Sequence, residues 1–256
     1  MRILFIGDIV GKTGRAVVKR LLPSLKEQYA IDFTIANGEN TTHGKGLSKD
    51  HYKELIDMGI DLITLGNHAF SKTEILEYID SADKLIRPLN IEPLNKGRSY
   101  SKVMIHNQTV IIINLCGAVF MERTVSSPFL AMHNLLPIID NAIVIVDLHA
   151  EATSEKVAFA FQYKDICSAV IGTHTHVQTA DERIIEGCAF ISDVGMSGPF
   201  DSVIGRDIQE VLDRFNGLEV KHFTVSTSES MLCGVMIEID DKSHRAIQIE
   251  RIQIRP

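Results

Sequence analysis

The 256-residue sequence predicts one α/β domain, residues 1–256, on a largely parallel sheet with helices on its faces. Three observations carry this. Apolar runs alternate with helical-period segments through the first two thirds of the chain; no repeat, low-complexity tract or Pro/Gly/Ser linker divides it; and 45% hydrophobic with 23% charged residues matches a globular protein.

The elements follow in order. Residues 2–7 (RILFIG) read as a buried strand and 15–29 as a helix, with Val17, Val18, Leu21, Leu22 and Leu25 at helical spacing. Residues 32–36 form a second strand, 48–58 a helix with Ser48 as N-cap, 61–65 a third strand and 71–83 a third helix. This βαβαβα start favours parallel pairing. Residues 101–105 and 110–115 read as a hairpin around His106–Thr109. Residues 118–137 lack a clear period and suggest a long loop over a site. Beyond them come strands at 142–146 and 169–172, with a helix at 153–163 between, then short β segments at 189–192, 220–225, 233–239 and 246–254 and a helix near 206–215.

Composition narrows the function. Twenty-six Lys+Arg against thirty-three Asp+Glu leave a net charge of −7, which disfavours coating of nucleic acid through overall charge but says nothing of one local site. Asp8 interrupts the first apolar run, so MRILFIGDIVGKTGR lacks a signal-peptide layout, and no stretch approaches the roughly 20 apolar residues of a membrane span. A cytoplasmic location is expected. Cys116, Cys167, Cys188 and Cys233 lie far apart without a CxxC pair, which suits buried thiols better than disulfides or a zinc knuckle.

Ligand-type residues collect at the predicted C-terminal ends of strands: Asp8; Asn37, Glu39 and Asn40; Asn67 and His68; His149 within LHAE; and His174 and His176 within GTHTH. In an open α/β sheet, loops converge and ligands bind at that edge. Each residue alone has an ordinary reading: Asp8 as a helix cap, Asn37 and Asn40 as turn residues, His149 as a hydrogen-bonded structural histidine. Five loops ending this way are harder to explain by structure alone. In extended chain, His174 and His176 would face the same side and reach one metal or two adjacent ones. Imidazole, carboxylate and amide oxygens without thiolate suit Mn, Fe or Zn, and metal pairs are a known device for hydrolysing phosphate esters.

GD at 7–8, GEN at 38–40, GNH at 66–68, LHAE at 148–151 and GTHTH at 172–176 resemble the calcineurin-like metallophosphoesterases. GEN, LHAEATSEK and SDVGMSGPFDSVIG narrow the resemblance to the YmdB-type 2′,3′-cyclic-nucleotide phosphodiesterases; Phe70 stands where that pattern has Trp. The resemblance implies a four-layer αββα sandwich with the site at the C-terminal strand ends. It implies one ion on Asp8, Glu39, Asn40 and His176, and a second on Glu39, Asn67, His149 and His174. Two transition-metal ions are expected, Fe or Mn first, with Zn accepting the same ligands. The expected reaction on a 2′,3′- or 3′,5′-cyclic nucleotide is in-line attack by a metal-bridging hydroxide, with His68 as general acid; an outer-shell role is the alternative for His68.

Substrate contacts are less legible. Phe120, Met121 and Phe129 are candidates for stacking or apolar contact, with ordinary core or interface packing the favoured alternative. Gly44 and Gly46 allow a tight turn or a close backbone approach to substrate, while His43, His51 and His106 receive no role. GDIVGKT is one residue too short for a P-loop, which sets NTP hydrolysis aside. A phosphomonoesterase of the same fold, or a nucleotide-binding regulator without catalysis, remain the competing functions, although all eight matching positions are filled. The expected partner is a cyclic nucleotide or other small phosphate ester, with no membrane; a homo-oligomer is left open.

Overall fold

The computed structural model describes residues 1–122 and 124–256. The chain opens with β1 (Arg2–Ile6), β2 (Asp8–Ile9), α1 (Gly11–Gln28), β3 (Phe33–Asn37), α2 (Lys49–Asp57), β4 (Leu62–Thr64) and α3 (Ile75–Tyr78). Next come β5 (Tyr100–Ile105), β6 (Gln108–Cys116), α4 (Pro128–Leu135), β7 (Ile143–His149), α5 (Thr153–Tyr163) and β8 (Ala169–Thr173). The last part holds β9 (Arg183–Ile185), β10 (Cys188–Ile191), β11 (Met196–Pro199), α6 (Ile208–Phe215), β12 (Ser230–Ile239) and β13 (Ala246–Ile254).

Two sheets result. One has the order β2-β11-β12-β1-β3-β4, with β13 also on β12; the other runs β5-β6-β7-β8-β10-β9. The order of layers follows from the alternation of side chains along each strand. In β1, Ile3 and Phe5 face a core shared with Ile112 of β6 and Ile145 of β7, while Leu4 and Ile6 pack with Val17, Val18 and Leu22 of α1. On the far side, Ile111 and Ile113 of β6 meet Met132 of α4 and Phe159 and Ala160 of α5. The expected αββα sandwich is therefore present. Each fully buried Phe, Leu or Ile contributes about 1.5–3 kcal/mol relative to exposure.

The β5–β6 hairpin closes at His106 and Asn107, whose φ angles of 49° and 61° lie in the left-handed region that two-residue hairpins favour. Several expectations are corrected. Of the helix predicted over 71–83, only Ile75–Tyr78 is α-helical, followed by a 3₁₀ turn at Ile79–Ser81, because the preceding residues close short turns (Ala69 to Gly66, Ser71 to His68, Ile75 to Lys72). The long loop over 118–137 contains helix α4, started by Pro128 and capped by the Ser127 side chain, which accepts from the Leu130 amide. The strand at 220–225 is reduced to one bridge between Arg206 and Val225. Helix α1 begins at Gly11 with Val10 as N-cap and no side-chain cap bond, so Asp8 does not cap it. The short strands β9 and β11 were not legible in the sequence. Among the described residues, no helix is long and apolar enough to cross a membrane, and all four cysteines are buried free thiols.

Candidate metal centre between the two sheet edges

The strand ends deliver their polar residues to one place. Asp8 lies in β2, Glu39 and Asn40 follow β3, and Asn67 and His68 follow β4, all in one sheet. His149 ends β7 and His174 and His176 follow β8, in the other. Asp8, Glu39, Asn40 and His149 are buried. Parallel pairing brings the carboxyl ends of neighbouring strands together within each sheet, and His149 beside Glu39 and Asn67, with His176 beside Asp8, makes the site one that forms across the sandwich.

His149 is the hub. Its Nε2 lies 3.0 Å from Glu39 Oε1, 3.1 Å from Asn67 Oδ1 and 3.0 Å from His174 Nδ1. Its Nδ1 meets the Thr173 hydroxyl at 2.9 Å, and that hydroxyl donates to Asp147 Oδ1 at 2.7 Å. Nδ1 is therefore the nitrogen positioned to donate, which leaves the Nε2 lone pair for the centre. Likewise, His176 Nδ1 donates to the Ile204 carbonyl at 2.9 Å, leaving Nε2 on the side of Asp8, 3.8 Å from its Oδ1. His174 Nε2 faces Glu151 at 3.1 Å, the outer-shell carboxylate typical of a metal-binding imidazole.

These contacts leave too few protons for the lone pairs present. Glu39, Asn67, His149 and His174 all aim acceptor atoms at one point. Nearby, Asp8 Oδ1 and Asn40 Oδ1 are buried without a hydrogen-bond partner, each a cost of about 1–3 kcal/mol if nothing answers it. Glu39, His149 and His174 form the one His/Cys/Asp/Glu group among the described residues with ligand atoms mutually close enough for a metal ion. Spacings near 3 Å suit an ion about 2.1 Å from each ligand, where adjacent octahedral positions lie about 3 Å apart. The residues therefore fit a metal ion. Gly66 matters here because a Cβ at that position would collide with His149 and Glu39.

Electrostatics agrees. Burial alone would lower the His149 pKa, but Glu39 and then Asp8 and Asp147 lift it to about 9. Burial disfavours the Glu39 anion, yet His149 and the His68 backbone amide hold its pKa at about 2. Burial lifts Asp8 to about 6 against the pull of His176 and His149, and burial with the neighbouring His149 drives His174 down to about 3.

His68 and Arg206 line the cleft above these groups, a hollow of about 280 Å³. The His68 amide donates to Glu39 Oε2 at 2.9 Å, and its ring Nδ1 lies 3.5 Å from Ser71 Oγ. His174 and His176 have φ angles of 109° and 65°, so GTHTH is not extended, and its two rings diverge toward His149 and Asp8. The loop is pinned between them, where Asp193 Oδ2 accepts from the Thr175 amide at 2.8 Å. Phe120, Met121 and Phe129 do not line the cleft. Phe129 stacks edge-on against Phe159, its ring centroid 5.5 Å away, Met121 packs on the helix-side core of the first sheet, and Phe120 is exposed. Ile204 and Arg206 form the wall instead; nothing in the local pattern of VIGRD separates them from surface residues.

Fold and site together define a metallophosphoesterase-like class. Within it the chain belongs to the YmdB-like protein family, whose model matches residues 4–252. It is 45% identical over 257 residues to a 2′,3′-cyclic-nucleotide 2′-phosphodiesterase of Bacillus subtilis (strain 168), covering 99% of this chain and 97% of that relative. Among solved structures, a novel phosphatase from Mycoplasma pneumoniae superposes with a TM-score of 0.95 at 39% identity, over 99% of this chain and 93% of that one. A hypothetical protein from Thermus thermophilus superposes with a TM-score of 0.93 at 34% identity, over 99% of both chains.

Proposed function

We propose that this chain is a metal-dependent phosphodiesterase that opens 2′,3′-cyclic nucleotides in the cleft between the two sheet edges. The observation that carries this reading is the convergence of Glu39, Asn67 and His174 on His149 Nε2, beside the unpartnered oxygens of Asp8 and Asn40. This set supports two ions, Fe or Mn before Zn. Asn67, His149 and His174 would hold one, Asp8, Asn40 and His176 the other, and Glu39 would serve both. When bound, such ions supply Lewis acidity toward a phosphoryl oxygen and toward water.

The chain's own groups do the rest. Thr173 and Asp147 orient His149, the Ile204 carbonyl orients His176, and Glu151 orients His174. His68 lines the cleft outside the ligand set, and it donates a proton to the departing ribose oxygen, a poor leaving group as an alkoxide. General acids of this kind typically contribute about 10²–10⁴-fold. The activity named for the Bacillus subtilis relative supports the substrate class.

The test is a substrate panel with defined metals: 2′,3′- and 3′,5′-cyclic nucleotides, mononucleotides and short RNA. Fastest turnover is expected on 2′,3′-cyclic nucleotides. Hydrolysis of monoesters alone would replace this reading with a phosphomonoesterase, and binding without turnover would indicate a regulator.

A further inference from the structure

We propose that Arg206 is a substrate-binding residue of this cleft, its guanidinium gripping a non-bridging oxygen of the substrate phosphate. The inference rests on the reading of the cleft as a phosphate-ester site. Arg206 is the one Lys or Arg among the cleft's described lining residues, which include Glu39, Glu151, His68, His174 and His176.

Its position is fixed at three points. The Arg206 backbone exchanges hydrogen bonds with Val203 at 2.9 and 3.0 Å, closing a tight turn through Ile204 and Gly205, both at positive φ. The carbonyl of Ile204 in that turn holds His176 Nδ1. The guanidinium donates from one terminal nitrogen to the Gly44 carbonyl at 2.8 Å, and the Asn40 amide donates to the same oxygen at 3.2 Å. The two donors can lie no farther apart than those two bonds laid end to end, so the cation stands beside a metal-ligand candidate. A Cβ at Gly44 would press on the guanidinium and on Val225, and the residue's φ of 78° also favours glycine.

The guanidinium makes no hydrogen bond among the described residues besides the one to the Gly44 carbonyl. Among the described residues no carboxylate pairs with Arg206; Glu210, the acid that acts on it from a distance, is engaged by the Thr224 amide and hydroxyl at 2.6 and 2.8 Å. A half-buried guanidinium has five N–H donors in a planar fork that matches the oxygens of phosphate. Held at the wall of a cleft that gathers metal ligands, it is placed to grip an oxygen of a phosphate bound there.

The experiment uses the full metal-loaded chain with Arg206→Met and Arg206→Lys. Inorganic phosphate, which has no base or sugar, is titrated by calorimetry, and KM and kcat are measured on a 2′,3′-cyclic nucleotide; metal content is checked by elemental analysis. With metals retained, Arg206→Met is expected to weaken phosphate binding and raise KM by about 10- to 100-fold. Arg206→Lys should fall between, since it keeps the charge and loses the fork. Unchanged phosphate affinity in Arg206→Met with full metal occupancy overturns the proposal. So does loss of metal in both variants, which would make Arg206 a positioning residue for Asn40. Wild-type turnover together with unaffected variants would remove Arg206 alone, whereas a wild-type protein that neither binds phosphate nor cleaves esters would remove the phosphate-ester reading and Arg206 with it.

Discussion

Nε2 of His149 and Oε1 of Glu39 stand 3.0 Å apart although they come from different sheets of the sandwich. The pair joins the last residue of β7 to the turn after β3, and both side chains are buried. In the metal-free protein a single proton can bridge them, while Asn67 Oδ1 and His174 Nδ1 compete for it from 3.1 and 3.0 Å. A cation satisfies all four at once.

Replacing Glu39 by Gln keeps the volume and removes the charge that holds the cluster together. Metal affinity should fall by more than about 100-fold, beyond the 10- to 100-fold typical of losing an outer-shell partner. Metal content after dialysis against a weak chelator measures it; retained full occupancy would rule out Glu39 as a shared ligand.

Replacing His68 by Ala should leave the metals in place and lower kcat on 2′,3′-cyclic nucleotides by about 10²–10⁴-fold. An ester with a nitrophenyl leaving group needs little protonation and should lose much less. Equal losses on both substrates would argue for a positioning role.

Metal binding should release protons near neutral pH. In the metal-free site His149 has a pKa of about 9 and is protonated at pH 7.5, whereas Glu39, at about 2, and His174, at about 3, are already in their ligand forms. Apparent metal affinity should therefore rise about tenfold per pH unit from pH 7 and level off above about 9. Below pH 6 the slope should steepen as Asp8 also takes up a proton. Calorimetry in buffers of different ionisation enthalpy counts the released proton; no release at pH 7.5 would contradict the bridging of Glu39 and His149.

Lys156 is fully buried and donates to Asp193 Oδ2 at 3.1 Å and to the Thr173 carbonyl at 2.9 Å. Asp193 in turn pins the Thr175 amide between the two histidines. Lys156→Met would strand the Asp193 charge and should cost about 3–5 kcal/mol of stability. Denaturant unfolding of the metal-free protein measures this without interference from the metal.

Much of this was readable in the chain itself. Segments such as 142–146 and 169–172 are apolar enough to read as buried strands, and the residues directly after them emerge at the sheet edge. Ligand-type residues at the predicted strand ends, Asn37 among them, stand out because backbone direction along a strand is a local property. The division of Asp8, Glu39, Asn40, Asn67, His149, His174 and His176 between two ions and the acid role of His68 are implied only by the family resemblance. Residues 71–83 misled because their apolar spacing suits a helix, while the turns around Asn67 and His68 decide the backbone there. Phe129 is open in the sequence between substrate contact and core packing, because an aromatic residue near a site and one in a core look alike along the chain; its ring packs against Phe159, the core alternative that the sequence favours.

The sequence by itself determined most of the strands, though not β9 or β11, which strand ends carry ligand-type residues and what class of ion such residues suit, since these depend on neighbours along the chain. Only the tertiary structure decided that Glu39 meets His149 across the sandwich, that Glu151 stands behind His174, that the 203–206 turn walls the cleft and that Arg206 reaches Gly44. Those contacts join residues far apart in the chain, and they form through packing of one sheet on the other, which no local periodicity encodes.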